Sequence, residues 1–319
     1  MNIIEGENLS YDYVSFEKKS GFKGSLKDLF KREKITVNAV KNLNFTVEKG
    51  KIVGLLGANG AGKTTLIKLM TGILTPSSGK INCIGHTPMF REEKYLSRIG
   101  MMLGQKSQLV WDLPARDTLE LLKMIYRINT SDFTERLEKL TEMLSLESKI
   151  NIPVRKLSLG ERIKFELICS VIHNPELLFL DEPTIGIDIL SQNKIYDFLL
   201  EINRIYGTTI ILTSHNTKDI TALAKEVLIM KNGEFIYSGE VKELRILTDK
   251  DISYTLSTNK DINPYIGEKG KCERTGYCRY KLNVHSADEL GNLNFKIVSS
   301  VQEDASDLDY ILSTIYSGE

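Results

Sequence analysis

The chain has 319 residues, of which 41% are hydrophobic and 26% charged, which is ordinary for a soluble globular protein of about two domains. Lys plus Arg and Asp plus Glu each number 42, so the formal net charge is zero. This balance argues against a nucleic-acid partner held mainly through its phosphates.

The first residues contain no basic region followed by an apolar core, so no signal peptide is expected. No stretch reaches the roughly 18 apolar residues that cross a bilayer. The four cysteines form no C-x-x-C pair, which favours a reduced, cytoplasmic protein. Any contact with a membrane is therefore expected to come through a partner.

Two N-terminal segments, 2–10 and 36–47, are predicted to form strands of an antiparallel sheet, since the second alternates apolar and polar residues. Between them, Tyr11 and Tyr13 offer flat rings on which an adenine could stack, with ordinary strand aromatics as the alternative. The basic segment 18–34 has apolar residues at helical spacing. We interpret it as a solvated helix face, with contact to a membrane surface or a partner as the alternative.

A phosphate-binding loop follows an apolar run and precedes a helical segment, as the pattern G-x-x-x-x-G-K-[ST] requires. Its glycines let successive N–H groups point at phosphate oxygens, and the new helix adds its positive end. Lys63 is expected to reach the β- and γ-phosphates, Thr64 to bind Mg²⁺ and Thr65 to contact the α-phosphate. A mere tight turn is the alternative, but every fixed position is filled. The residues assigned to the nucleotide are Gly57, Ala58, Asn59, Gly60, Ala61, Gly62, Lys63, Thr64 and Thr65.

Amphipathic helices are predicted at 115–128 and 131–146, the second with Ser131 as its N-cap. A third helix opens at the sequence Leu-Ser-Leu-Gly-Glu and runs to about residue 173. Ser158 and Glu161 there match the S-x-x-E capping box, which needs no function.

A buried strand at 177–181 ends in two adjacent carboxylates. In proteins with a phosphate loop, the first acid (Asp181) is suited to hold Mg²⁺ and the second (Glu182) to polarise an attacking water. A helix cap is the alternative, but the upstream phosphate loop favours catalysis. A further strand at 208–214 is followed by His215, at the edge of the sheet where ligands bind.

A hairpin is predicted at 227–237, where the Asn-Gly pair suits a tight turn. After it, the pattern of predicted elements changes. We expect a nucleotide-binding domain over 1–245 and a small α/β domain over 246–319. The elements predicted for this smaller domain are strands at 252–257, 280–284 and 295–301, a mobile loop at 259–276 and a helix at 307–316.

The order of these motifs resembles the ATP-binding subunit of an ABC transporter over residues 2 to about 245. The sequence segments 104–114 and 184–188 resemble more narrowly those of the ATPases of daunorubicin-resistance-type exporters. The resemblance implies an α/β fold: a P-loop NTPase core with an antiparallel β subdomain and a helical subdomain at about 92–172, plus the small C-terminal appendage.

The resemblance also implies the role of each site residue around a nucleotide sandwiched between two subunits. Within one subunit, the implied residues are Tyr13 on adenine, Lys63 on the phosphates, Thr64, Gln105 and Asp181 at Mg²⁺, Glu182 as general base and His215 on the γ-phosphate. From the opposite subunit, Ser158 and Gly160 would close over the γ-phosphate, and Asp188 would cross the interface.

Two departures from the family pattern bear on these roles. Leu159 and Glu161 stand where the signature L-S-G-G-Q has glycine and glutamine, and we expect Glu161 to face back toward Ser158. The glutamine loop is one residue longer than the commonest pattern, which leaves Gln108 as an alternative to Gln105.

The implied partners are integral membrane permease subunits and a second ATP-binding subunit, as a homodimer when ATP is bound, with no nucleic acid. The implied location is cytoplasmic, on the inner face of the cell membrane. Alternatives are a soluble ABC ATPase acting on ribosomes or DNA, and a P-loop kinase. The only tryptophan, Trp111, is predicted to be exposed and to form part of the groove that receives a short cytoplasmic helix of the permease. The alternative is that it packs into the helical subdomain.

Overall fold

The computed structural model describes residues 1–16, 34–104, 107–214, 216–247, 252–268, 271–284 and 287–303. The chain divides into two compact units, Met1–Gly239 and Glu240–Glu319, a few residues ahead of the boundary predicted at 245. Gln105 and His215 lie outside the described residues, as do the predicted helix 307–316 and nearly all of the basic segment 18–34.

The first unit contains nine strands and seven helices within its described residues. The strands are β1 (Asn2–Phe16), β2 (Lys34–Glu48), β3 (Ile52–Gly57), β4 (Ser78–Cys83), β5 (Ile99–Leu103), β6 (Leu177–Asp181), β7 (Thr209–Thr213), β8 (Glu226–Lys231) and β9 (Glu234–Glu240). The helices are α1 (Lys63–Met70), α2 (Glu93–Leu96), α3 (Ala115–Ile125), α4 (Thr130–Leu144), α5 (Leu159–Val171), α6 (Ile189–Tyr206) and α7 (Thr217–Leu223).

Two sheets form the framework of this unit. Six strands pair in the order β5-β6-β7-β3-β8-β9, and the pairs from β5 to β8 are parallel. All residues of β3 and β7 are buried, which explains their unbroken apolar runs. The second sheet is antiparallel in the order β2-β1-β4, and it places Tyr13 opposite Val37. The carboxyl ends of β3, β6 and β7 therefore meet at one edge, where the predicted motifs lie.

The helices α3 to α5 follow the predicted pattern, with one correction at a helix start. Asn129, not Ser131, caps α4, and its side chain accepts a hydrogen bond from the backbone N–H of Asp132 at 2.8 Å. Ser131 lies inside the first turn and donates to Asn129 instead. The chain leaves this helix at Ser145, which has a left-handed conformation (φ 54°).

Within its described residues, the second unit holds four antiparallel strands in the order β11-β12-β10-β13. They are β10 (Ile252–Thr258), β11 (Cys272–Gly276), β12 (Arg279–Val284) and β13 (Val298–Glu303). The prediction of a loop over 259–276 is therefore wrong for its last residues, 272–276, which form β11. Cys272 is buried opposite Leu282, and this cross-strand contact, rather than any alternation in the short segment, makes it a strand.

A histidine two residues after the end of α5 has its ring stacked on Tyr126, with ring centroids 3.9 Å apart. Nε2 of this residue, His173, lies 2.9 Å from the carbonyl oxygen of Ile99, so it carries the proton of a neutral ring and donates to that oxygen. Nδ1 is buried and has no hydrogen-bond partner among the residues that the structure describes. Burial lowers the pKa of His173 to about 4.

The lowered pKa of His173 predicts that the protein loses stability on mild acidification. Its folded pKa lies below the value near 6.5 of an unfolded histidine, so the unfolded chain binds the extra proton as pH falls from about 6.5 to 4. We expect the free energy of unfolding to fall by about 2 kcal/mol more between pH 7 and pH 5 in wild type than in His173→Gln. Urea unfolding at both pH values measures this, and equal losses in the two proteins would contradict it.

Candidate active site

The phosphate loop takes a conformation that only glycine allows at its end. It joins the buried strand β3 to α1, and Gly60 and Gly62 have φ values of 82° and 110°. A Cβ on Gly62 would lie 2.3 Å from the carbonyl oxygen of Ala39, so a side chain there would displace the loop. The loop therefore keeps its N–H groups and the start of α1 together, as an anion site requires.

The loop lysine is folded inward. Lys63 is 6% exposed, and its Nζ donates to the carbonyl oxygens of Gly57 at 2.6 Å and Ala58 at 3.2 Å. Burial lowers the pKa of Lys63, while the charges of Glu182 and Asp181 act in the opposite direction. An anion in the loop would supply this cation with the opposite charge that its burial calls for.

The predicted acid pair lies directly beside the loop. Asp181, at the end of β6, accepts hydrogen bonds from the hydroxyls of Thr64 at 3.0 Å and Thr213 at 2.7 Å. Hydroxyl and carboxylate oxygens are the ligands that Mg²⁺ takes, so Thr64 and Asp181 fit this ion. The next residue, Glu182, has a left-handed backbone (φ 55°), held by a 3.0 Å bond from its N–H to the Thr213 hydroxyl. Non-glycine residues in this region are uncommon and cluster at functional sites.

A cavity of about 580 Å³ is lined by residues of the phosphate loop and by Glu182, and its volume is within the size range of small-ligand pockets. Its lining residues include Tyr13, Val37, Lys63, Thr64 and Glu182. Tyr13 is 38% exposed, and its hydroxyl lies 3.3 Å from that of Thr65. The structure therefore places a flat aromatic face at one side of the phosphate loop.

A second cavity, of about 730 Å³, adjoins the first and shares two lining residues with it, Thr64 and Glu182, while Asp181 lines only the second cavity. Its apolar lining includes Ile73, Met101 and Ile185. Ser107 and Gln108 also line it, and Gln108 Nε2 donates to the backbone of Met101 at 3.1 Å. Trp111, three residues after Gln108, is 54% exposed, which confirms its predicted exposure. It is not one of the described residues that line this cavity.

The signature segment forms the predicted capping box at the start of α5. The N–H of Ser158 donates to Glu161 at 2.8 Å, and the N–H of Glu161 donates to the Ser158 hydroxyl at 3.2 Å. The first of these bonds lowers the pKa of Glu161. Glu161 faces back toward Ser158, as predicted. Ser158 is exposed, and no described residue of 158–161 lines the 580 Å³ cavity.

The start of α6 packs against this segment. Asp188 caps α6 by accepting a hydrogen bond from the N–H of Ser191 at 2.9 Å, which lowers the pKa of Asp188. A Cβ on Gly160 would lie 3.0 Å from the hydroxyl of Ser191. The two residues assigned to a subunit interface, the exposed Asp188 and the buried Gly160, thus lie near one another within one chain.

Sequence reasoning missed a buried carboxylate behind the acid pair. Asp219, on α7, is 1% exposed. It accepts from the hydroxyls of Thr184 and Ser214 at 2.5 Å each, from Gln192 Nε2 at 2.7 Å, and from the Tyr196 hydroxyl. It therefore ties the segment after Glu182 to the residue before His215. In the sequence, this aspartate is indistinguishable from an ordinary acid in the first turn of a helix.

Comparison with known proteins gives a consistent family. The ABC transporter family model matches residues 40–185. The ABC transporter ATP-binding protein NatA of Bacillus subtilis is 33% identical over 67% of this chain and 87% of its own length. The daunorubicin resistance ATP-binding protein DrrA3 of Streptomyces coeruleorubidus is 33% identical over 67% of each chain.

Solved structures agree on the fold. The dimeric structure of a post-hydrolysis state of an ATP-binding cassette, bound to ADP and Pi, has a TM-score of 0.61 and 21% identity, and the match covers 75% of this chain and 98% of that one. The predicted α/β P-loop fold is confirmed. The chain belongs to the ABC transporter family, as an ATP-binding protein that hydrolyses ATP.

Proposed function

We propose that this chain is the ATP-hydrolysing subunit of an exporter, that it dimerises on Mg-ATP, and that it docks on separately encoded integral membrane permease subunits. The observation that supports dimerisation is the division of the site. The phosphate loop and Glu182 line one cavity, whereas Ser158 caps an exposed helix start that does not line it. A second copy would supply that helix start to the nucleotide.

The proposed chemistry uses the residues around this cavity. The loop N–H groups and Lys63 hold the phosphates of ATP, and the ring of Tyr13 stacks on adenine. Thr64 and Asp181 would hold Mg²⁺, which when bound would neutralise charge on the phosphates. Glu182 takes a proton from a water molecule that attacks the γ-phosphorus, and the bond to the leaving oxygen of ADP breaks. We assign Gln105 and His215 to the attacking water and the γ-phosphate, as the family resemblance implies.

The proposal of export and location follows from the relatives. NatA is named as an ABC transporter ATP-binding protein and DrrA3 as a daunorubicin resistance ATP-binding protein. No helix among the described residues is long and apolar enough to cross a membrane. We propose a cytoplasmic protein on the inner face of the cell membrane, and the 730 Å³ cavity, which we call the docking groove, as the place where a permease segment binds.

Gel filtration of Glu182→Gln tests the proposed assembly. This variant should elute as a monomer without nucleotide and as a dimer with Mg-ATP, because ATP itself forms much of the interface. The control is the double variant Lys63→Ala, Glu182→Gln, which lacks the phosphate contact and should stay monomeric. An elution volume of Glu182→Gln that does not respond to Mg-ATP would contradict the proposal.

Tyr13 offers a separate test of the adenine contact. Stacking of a base on an aromatic ring is worth about 1–3 kcal/mol, so Tyr13→Ala should weaken ATP binding by roughly 5- to 150-fold. Tyr13→Phe keeps the ring and loses only the hydroxyl contact with Thr65, so it should bind nearly as wild type. Titration calorimetry with ATP gives both values, and equal affinities of the Ala and Phe variants would place adenine elsewhere.

A further inference from the structure

A second buried carboxylate joins the docking groove to the signature helix. Glu166 lies on α5 and is 7% exposed. Both of its oxygens accept from the N–H of Gln108 at 3.0 Å, and one of them also accepts from the N–H of Leu109 at 3.3 Å and from the hydroxyl of Ser107. One carboxylate thus holds three consecutive residues of the segment that follows the glutamine loop.

The position of this contact connects two functional regions. Ser107 and Gln108 line the docking groove together with Asp181 and Glu182. At the other end, Glu166 lies eight residues after Ser158 on the same helix, a distance of about 12 Å along its axis. A helix this short transmits displacement along its axis as a rigid body, so the groove segment and the signature serine are mechanically connected.

A second contact holds the same segment from the same helix face. The guanidinium of Arg162, one turn before Glu166, lies 5.0 Å from the centre of the Trp111 ring. Residues four apart on a helix project on one side. Two neighbouring side chains of α5 therefore hold residues 107–111, one by hydrogen bonds and one over an aromatic face.

The charge of Glu166 makes this connection stiff. Hydrogen bonds to a carboxylate are about twice as strong as neutral ones. A buried carboxylate whose donors move away is left with an uncompensated charge, which is strongly unfavourable. Segment 107–109 therefore cannot move off α5 without a large cost, whereas the two can move together.

We infer that Glu166 is a positioning residue that makes α5 move together with segment 107–109 of the docking groove. A permease segment bound in the groove then sets the placement of Ser158 against ATP on the partner subunit. The inference rests on the proposed function, because it requires both the dimer and the groove. It assigns Glu166 no contact with ATP.

The test separates ATP binding from dimer formation in full-length protein. In the Glu182→Gln background, adding Glu166→Gln should weaken the Mg-ATP-driven dimer about tenfold, since small misplacements of a binding group have effects of this size or larger. ATP affinity of the dilute monomer, measured by calorimetry, should stay within about twofold, because Glu166 does not line the nucleotide cavity. The matched control is Glu135→Gln, an exposed carboxylate on α4, which should change neither value.

A double-mutant cycle gives a readout that general destabilisation would not produce. Ser107→Ala removes one donor to Glu166 and should weaken the dimer by a smaller factor. Combined with Glu166→Gln it should add nothing further, because both changes act on one contact. Combined with Glu135→Gln its effect should be unchanged.

The outcomes distinguish this inference from the proposed function. If Glu182→Gln alone fails to dimerise with Mg-ATP, the proposed function is wrong. If it dimerises but Glu166→Gln leaves the dimer unaffected, or the two effects add fully, only the positioning role is overturned. Should Glu166→Gln not fold, Ser107→Ala carries the test by itself, and an unchanged dimer constant in that variant overturns the inference.

Discussion

Replacing Glu182 by glutamine should leave Mg-ATP binding intact and slow hydrolysis by about 10²- to 10⁴-fold, the usual worth of a general base. The amide keeps the size of the side chain but cannot take the proton of the attacking water. The hydrogen bond from the backbone N–H of Glu182 to the Thr213 hydroxyl holds this residue in a left-handed conformation. The fold therefore sets the direction in which this side chain leaves the backbone.

Steady-state phosphate release by the full chain measures this effect, with ATP affinity measured in parallel. Glu138→Gln, a change of an exposed carboxylate on α4, is the matched control and should keep wild-type turnover. Turnover of Glu182→Gln within a few-fold of wild type would assign the base to another residue. A loss of ATP binding in this variant would instead indicate that the carboxylate supports the site and not the chemistry.

Much of the site could be predicted from the sequence because its parts are local. The phosphate loop, the capping box of Ser158 and the strand ending in Asp181 each lie within a few residues, where spacing determines geometry. The contact between Thr64 and Asp181 also followed, because parallel strands bring their carboxyl ends to one edge. Local patterns and this topological rule together account for the correct part of the prediction.

The missed features depend on contacts between residues distant in sequence. Asp219 and Glu166 are single acids within helices, and only the folded chain shows that each is buried among several donors. The strand that contains Cys272 is similarly defined by its neighbour across the sheet. For Ser131, the sequence offers a second cap-forming residue two positions earlier, Asn129, and the folded chain shows that Asn129 is the one that lies ahead of the first turn.

Asp219 provides the second large expected effect, on stability as well as on turnover. Its carboxylate accepts from Thr184, Ser214, Gln192 and Tyr196. Asp219→Ala removes the acceptor that all four donors share, and breaking a buried network of this kind costs about 3 kcal/mol. For a unit of this size, we expect the melting temperature to fall by about 6–12 °C.

The matched control for this change is Asp197→Ala, which removes an exposed carboxylate from α6 and should alter stability by less than about 0.5 kcal/mol. Asp219→Asn retains one acceptor oxygen and should lie between the two. Turnover should fall in the Ala variant even well below its melting temperature, because Thr184 follows Glu182 closely and Ser214 precedes His215. Equal melting temperatures of Asp219→Ala and Asp197→Ala would mean that these donors find other partners, and that the network does not hold the acid pair in place.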